Sequence, residues 1–79
     1  MKRRFRINQI VIDPNIRFGK PCIKGTRIAV ADILGLLSAG YTVDQIPEQY
    51  PGITKRDVLG AIKFAVHLSE QPSHIALEA

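Results

Sequence analysis

The rhythm of apolar and polar positions changes near residue 30. Before it, Phe5-Arg6-Ile7-Asn8-Gln9-Ile10-Val11-Ile12 alternates loosely and is rich in Ile and Val, which predicts a strand over residues 5–12. Asp13-Pro14-Asn15 is a turn or break. Residues 16–28 carry Gly19, Pro21 and Gly25 close together, which predicts a second short strand or an irregular hairpin with Pro21 at an edge or turn. From Val30 the period is helical: Val30, Ile33, Leu34 and Leu37 form one stripe, with Asp32 in the first turn and Gly40 as the residue that closes the helix. Thr42 and Gln45 fit a capping box for a second helix. Pro47 falls inside it and removes a helical hydrogen bond, so that helix is short or distorted and ends by Tyr50. Thr54 caps a third helix, with Asp57 three residues on, running to about Ser69 or Glu70 before Pro72. The expected organisation is one domain over residues 1–70 and a tail over 71–79.

At 100° per residue, the third helix gathers Val58, Leu59, Ala61, Ile62, Ala65, Val66 and Leu68 into one half of its wheel. That half is wider than one neighbour covers, so a second helix or a second subunit must lie on it, and a homodimer is expected. The opposite arc holds Arg56, Gly60, Lys63, His67 and Glu70. Gly60 weakens the helix interior by about 1 kcal/mol relative to Ala, a cost that a close approach of another backbone would offset. This arc is either a groove-facing surface or a solvated polar face with an incidental glycine. Phe64 lies beside it, packing under the N-terminal β element or contacting a partner.

Charge changes the picture further. The chain of 79 residues has a net charge of +4, unevenly spread. Residues 1–27 hold eight basic residues and one acid, Asp13, whereas residues 28–79 hold three basic and six acidic. The asymmetry points to an anionic partner, most often nucleic acid, against the plainer reading of a solubilising end. Arg3, Arg4, Arg6, Lys24, Arg27, Arg56 and Lys63 are the candidate DNA contacts, and Phe64, Ile75 and Leu77 the candidate partner contacts. A lone cysteine, Cys22, rules out an intrachain disulfide framework and is expected as a small buried or half-buried residue rather than a nucleophile. His67 and His74 have no cysteine partners, so neither metal nor cofactor is expected. No carboxylate pair or triad is visible, which argues against an enzyme. No apolar run approaches a membrane span, and no apolar stretch follows the basic start, so the expected setting is the cytoplasm.

The segment Gly19-Lys20-Pro21-Cys22-Ile23-Lys24-Gly25-Thr26-Arg27-Ile28 combines two glycines that permit positive φ with a proline that stiffens the turn. Thr26 is placed to bond nearby backbone. Arg27 either offers its planar fork to a phosphate or locks the loop onto a helix end, for example through Asp32.

These residues, with Ile12-Asp13-Pro14 before them and Val30, Asp32-Ile33-Leu34, Gly40 and Tyr50-Pro51-Gly52-Ile53-Thr54 after, resemble the bacterial and archaeal domain-of-unknown-function family 433. The resemblance covers about residues 8–68 and departs at Pro47, where the family usually continues a helix. It implies a mainly α, homeodomain-like three-helix fold, a helix-turn-helix domain with an N-terminal β strand or hairpin. Members often lie beside genes for PIN-like ribonucleases, which implies an antitoxin of a type II toxin–antitoxin pair, similar to VapB-type antitoxins in role. Such a protein binds operator DNA and neutralises its toxin. The alternative is a dimeric interaction module without sequence-specific DNA binding.

Overall fold

The computed structural model describes residues 5–70. Its elements are β1 (Phe5–Ile7), β2 (Ile10–Ile12), a 3-10 turn (Arg17–Gly19), β3 (Cys22–Ile23), α1 (Val30–Ser38), α2 (Ile46–Gln49) and α3 (Lys55–Ser69). The strands form one antiparallel sheet in the order β1-β2-β3. Ile7 pairs with Ile10 and Ile10 with Ile23, so these three side chains share one face. Ile10 and Ile23 on that face are buried against the helices.

The fold is therefore α plus β, and the mainly α, homeodomain-like helix-turn-helix fold expected from the sequence is not what the chain adopts. Two local events explain the difference. The expected strand over 5–12 breaks at Asn8, whose φ of 53° turns the chain through Asn8-Gln9 and sends β2 back along β1. Asn tolerates the left-handed region better than most residues, because its short polar side chain bonds locally. The second event is at α2. The Thr42–Gln45 box does form, with Thr42 N–H donating to Gln45 Oε1 at 2.8 Å and Gln45 N–H to Thr42 Oγ1 at 3.2 Å. It closes a turn rather than a helix, and the helical residues are Ile46–Gln49 alone. Pro47 stands in the first turn of α2, where its missing N–H has no helical partner to lose. A four-residue helix does not frame the first arm of a helix-turn-helix.

The other termini follow the sequence closely. Gly40, at φ 102°, ends α1 in a Schellman arrangement: Gly40 N–H donates to Leu37 O and Tyr41 N–H to Leu36 O, both at 3.0 Å. Thr54 and Asp57 cap α3 reciprocally at 3.2 and 3.0 Å. The segment around Gly25 is the irregular hairpin anticipated, its arms tied by Ile23 N–H to Ile28 O at 2.9 Å and Val30 N–H to Pro21 O at 2.8 Å.

The core is small and aliphatic. Ile10, Ile23, Val30, Ile33, Ile46, Ile53, Val58, Ala61 and Phe64 are buried together. α1 and α2 pack on α3, and β2 lies along α3 as a third wall. That wall turns α3. Its inward face is Val58, Gly60, Ala61 and Phe64, rotated toward the hairpin relative to the apolar half of the wheel. Leu59 and Val66, two turns apart, are consequently exposed at 45% and 51%. Among the described residues, no helix is long and apolar enough to cross a membrane.

Candidate nucleic-acid interface

Where the β1–β2 turn meets α3, a cleft of about 300 Å³ is lined by Asn8, Gln9, Arg56, Leu59, Gly60 and Lys63. Its floor is made by a close approach. A Cβ on Gly60 would lie 2.6 Å from Gln9 Oε1 and 3.1 Å from Gln9 Cδ, so only glycine leaves room for the Gln9 side chain as it stands. The approach expected at Gly60 is thus real, but a side chain makes it, not a backbone. The seven-residue spacing of Arg56 and Lys63 sets both cations on the rim of this cleft, exposed. Cations beside a polar turn can hold an anionic backbone.

The remaining basic candidates sort elsewhere. Arg6 on β1 and Lys24 after β3 line a second depression of about 220 Å³ with Val11, Asp13, Ile16 and Gly25. Buried Asp13 tempers that site, and its carboxylate accepts from Asn15 N–H at 2.9 Å. Arg27 is exposed. It does not bond Asp32, as one reading of the loop expected; Arg17 does. The Arg17 Nη1 donates to Asp32 Oδ2 at 3.1 Å and to the Arg27 carbonyl at 2.7 Å, tying the 3-10 turn to the Gly25 loop and to the first turn of α1. Arg3, Arg4, Ile75 and Leu77 lie outside the described residues.

Asp32 anchors this corner. Its Oδ2 also accepts from Ala29 N–H at 2.9 Å, the bond by which a residue in the first turn of α1 reaches back to the N-cap backbone. Burial pushes the Asp32 carboxyl up, but the Ala29 N–H, the Arg17 hydrogen bond and the charges of Arg17 and Lys20 outweigh it, leaving the group below its ordinary value. Thr26 Oγ1 donates to Ile23 O at 2.9 Å and accepts from Ile28 N–H at 3.0 Å, which is the local backbone bonding expected of it. Cys22 is 1% exposed, and burial pushes its thiol up. Both observations fit a packing residue rather than a nucleophile.

Phe64, for which packing under the N-terminal β element and a partner contact were both open, is 4% exposed and belongs to the core that includes Ile10 of β2, so it is not a surface partner contact. It also forms the floor of an apolar groove of about 400 Å³ between α1 and α3, with Pro21, Val30, Leu34, Ala65 and Leu68. Among the described residues, no group of three or more His, Cys, Asp or Glu side chains is placed to hold a metal ion.

Sequence reasoning missed Asn8 and Gln9 as cleft residues. The signal was present: a polar pair flanked by two apolar triplets, Phe-Arg-Ile and Ile-Val-Ile, is a hairpin pattern with a two-residue turn. It also missed Arg17, for which spacing offered no signal, since Asp32 is fifteen residues away.

A family model described as a protein of unknown function, DUF433, matches residues 10–65. The chain is 41% identical over 56 residues to a protein of Mycobacterium tuberculosis (strain ATCC 25618 / H37Rv) named "Putative antitoxin VapB45". The match takes in 67% of this chain and 23% of that protein, so this chain spans about a quarter of its relative's length. No solved structure matches the chain.

Proposed function

This chain belongs to the DUF433 family, and from that premise we propose that it is the antitoxin of a type II toxin–antitoxin pair, acting by binding rather than catalysis. The observation that carries the proposal is the 41% identity to a protein named as an antitoxin. In this reading the chain works in the cytoplasm as a homodimer, neutralises a PIN-like ribonuclease and contacts operator DNA. The cleft beside the β1–β2 turn is the DNA contact, with Arg56 and Lys63 on phosphates and Arg3, Arg4, Arg6, Lys24 and Arg27 extending the basic surface. Exposed Leu59 and Val66 on α3 supply an apolar stripe for the second subunit, with Leu59 on the edge that this stripe shares with the cleft. Ile75 and Leu77 in the tail serve the toxin.

Co-expression with the PIN-like ribonuclease proposed as its partner tests the antitoxin role. Growth restored by this chain supports the reading, and continued arrest removes it. DNA binding is tested separately, by a shift assay on the protein's own upstream DNA across a salt series. Specific retention at physiological salt is the expected result. Arg56→Ala with Lys63→Ala should lower the salt slope by about two, one per lost phosphate contact. An unchanged slope would remove the cleft from the DNA site. A second reading, an interaction module that does not read DNA sequence, is favoured by the four-residue α2, which provides no helix-turn-helix frame. Weak binding that vanishes with salt and ignores sequence would select it.

A further inference from the structure

Phe18 is 99% exposed, more than any other large apolar side chain among the described residues. Its backbone is also in the left-handed region, φ 59° and ψ 31°, and so is that of Arg17 at φ 51°. Two successive residues other than glycine in this region are costly, and such conformations persist only where the surroundings hold them. Here they do. Asp13 O accepts from Ile16 N–H at 2.8 Å, Ile16 O from Gly19 N–H at 3.1 Å, and the Arg17 guanidinium is held by Asp32 and the Arg27 carbonyl. The backbone that carries the aromatic ring is thereby held at the tip of a braced turn, and both faces of the ring are open to solvent.

The surroundings of the ring say what it suits. Lys20 follows the turn directly in the chain, and the Arg27 backbone is held against the Arg17 guanidinium at 2.7 Å; Arg17 is itself paired with Asp32, so the net positive charge beside the turn is that of Lys20 and Arg27. Lys20 and Arg27 are exposed. A second copy of this chain docking symmetrically on Phe18 would bring two such pairs of cations together, which like-charge repulsion opposes. A protein pocket for Phe18 would call for an apolar rim around the anchor, yet the exposed neighbours in the turn and the Gly25 loop are Asn15, Lys20, Lys24, Gly25 and Arg27. An open aromatic face flanked by cations matches single-stranded nucleic acid, in which an unpaired base stacks on the ring and the backbone follows the positive charges.

We propose that the braced turn Arg17–Gly19 is a binding site for single-stranded nucleic acid, with Phe18 as the stacking platform and Lys20 and Arg27 as the phosphate contacts. Phe18 and Lys20 lie outside the cleft beside α3, Arg27 is shared with the basic surface proposed above, and the site does not rest on the antitoxin reading.

Fluorescence anisotropy of the full chain with labelled oligo-dT and oligo-U of about ten nucleotides, and with a duplex of equal length, tests it. Wild type should bind the single strands more tightly than the duplex. Phe18→Gly should weaken single-strand binding about tenfold or more with an unchanged salt slope, because stacking is lost and charge is not. Its melting temperature should hold or rise, since glycine adopts this φ without strain, so lost binding is not lost folding. Phe18→Tyr should bind as wild type does. Lys20→Ala with Arg27→Ala should flatten the salt slope. Equal affinity for Phe18→Gly and wild type, a preference for the duplex, or no single-strand binding would each overturn the proposal.

Discussion

A single carboxylate, Asp32, serves the backbone of α1 and the guanidinium of Arg17 at once. Because its folded pKa lies below the ordinary 3.8, the stability it contributes is present above that value and lost as the pH falls through the folded one. Asp32→Asn should therefore lower stability at neutral pH by roughly 1 kcal/mol, a modest figure because the pair is about a third exposed and solvent screens it. Urea midpoints at neutral pH should separate wild type from Asp32→Asn, and those at about pH 2 should bring them together. Gly60 offers a second test. Alanine there gains about 1 kcal/mol of helix propensity but must displace the Gln9 amide. We expect Gly60→Ala to raise stability by about that amount in a Gln9→Ala background and by less in wild type. Equal effects in the two backgrounds would mean that Gln9 does not occupy the space above Gly60.

At the scale of elements, Pro47 separates two accounts of the second helix. A proline in a helix interior costs about 3 kcal/mol, and its removal would stabilise the protein strongly. A proline in the first turn restricts the unfolded chain at no native cost. The structure has the second situation. Pro47→Ala should lower stability by about 0.4–1 kcal/mol, measured by thermal or urea unfolding. A large gain would show that the helix reaches back to Thr42.

At the scale of these 79 residues, the core rests on α1, α2 and β2 packed against α3. A chain of this size buries only about 60% of the surface it exposes unfolded, which leaves little apolar area to spare for exposure. Leu59 and Val66 are nevertheless on the surface of α3, along one stripe. Sedimentation of the full chain at micromolar concentration should show a dimer, and Leu59→Gln with Val66→Gln should shift it toward monomer while preserving the far-ultraviolet spectrum. A monomeric wild type would leave the stripe as plain surface.

The sequence by itself determined where α1 and α3 begin and end. Asp32, Gly40, Thr54 and Asp57 act on backbone groups within four residues of themselves, so their effects are readable without the rest of the chain. The irregular hairpin around Gly25 and the burial of Cys22 were legible for the same reason or from residue type. The family was legible from the spaced motif. What tertiary structure alone decided is which way α3 faces. The wheel placed Leu59 and Val66 inside and Phe64 aside, because periodicity ranks residues by polarity and does not know what stands opposite. Once Asn8 turns the chain and β2 lies along α3, the glycine at position 60 admits Gln9, Phe64 turns inward, and the two aliphatic residues are left in water. The cleft and the Arg17–Asp32 brace belong to the same class: each joins residues far apart in the chain, and contacts of that kind leave no local trace in sequence.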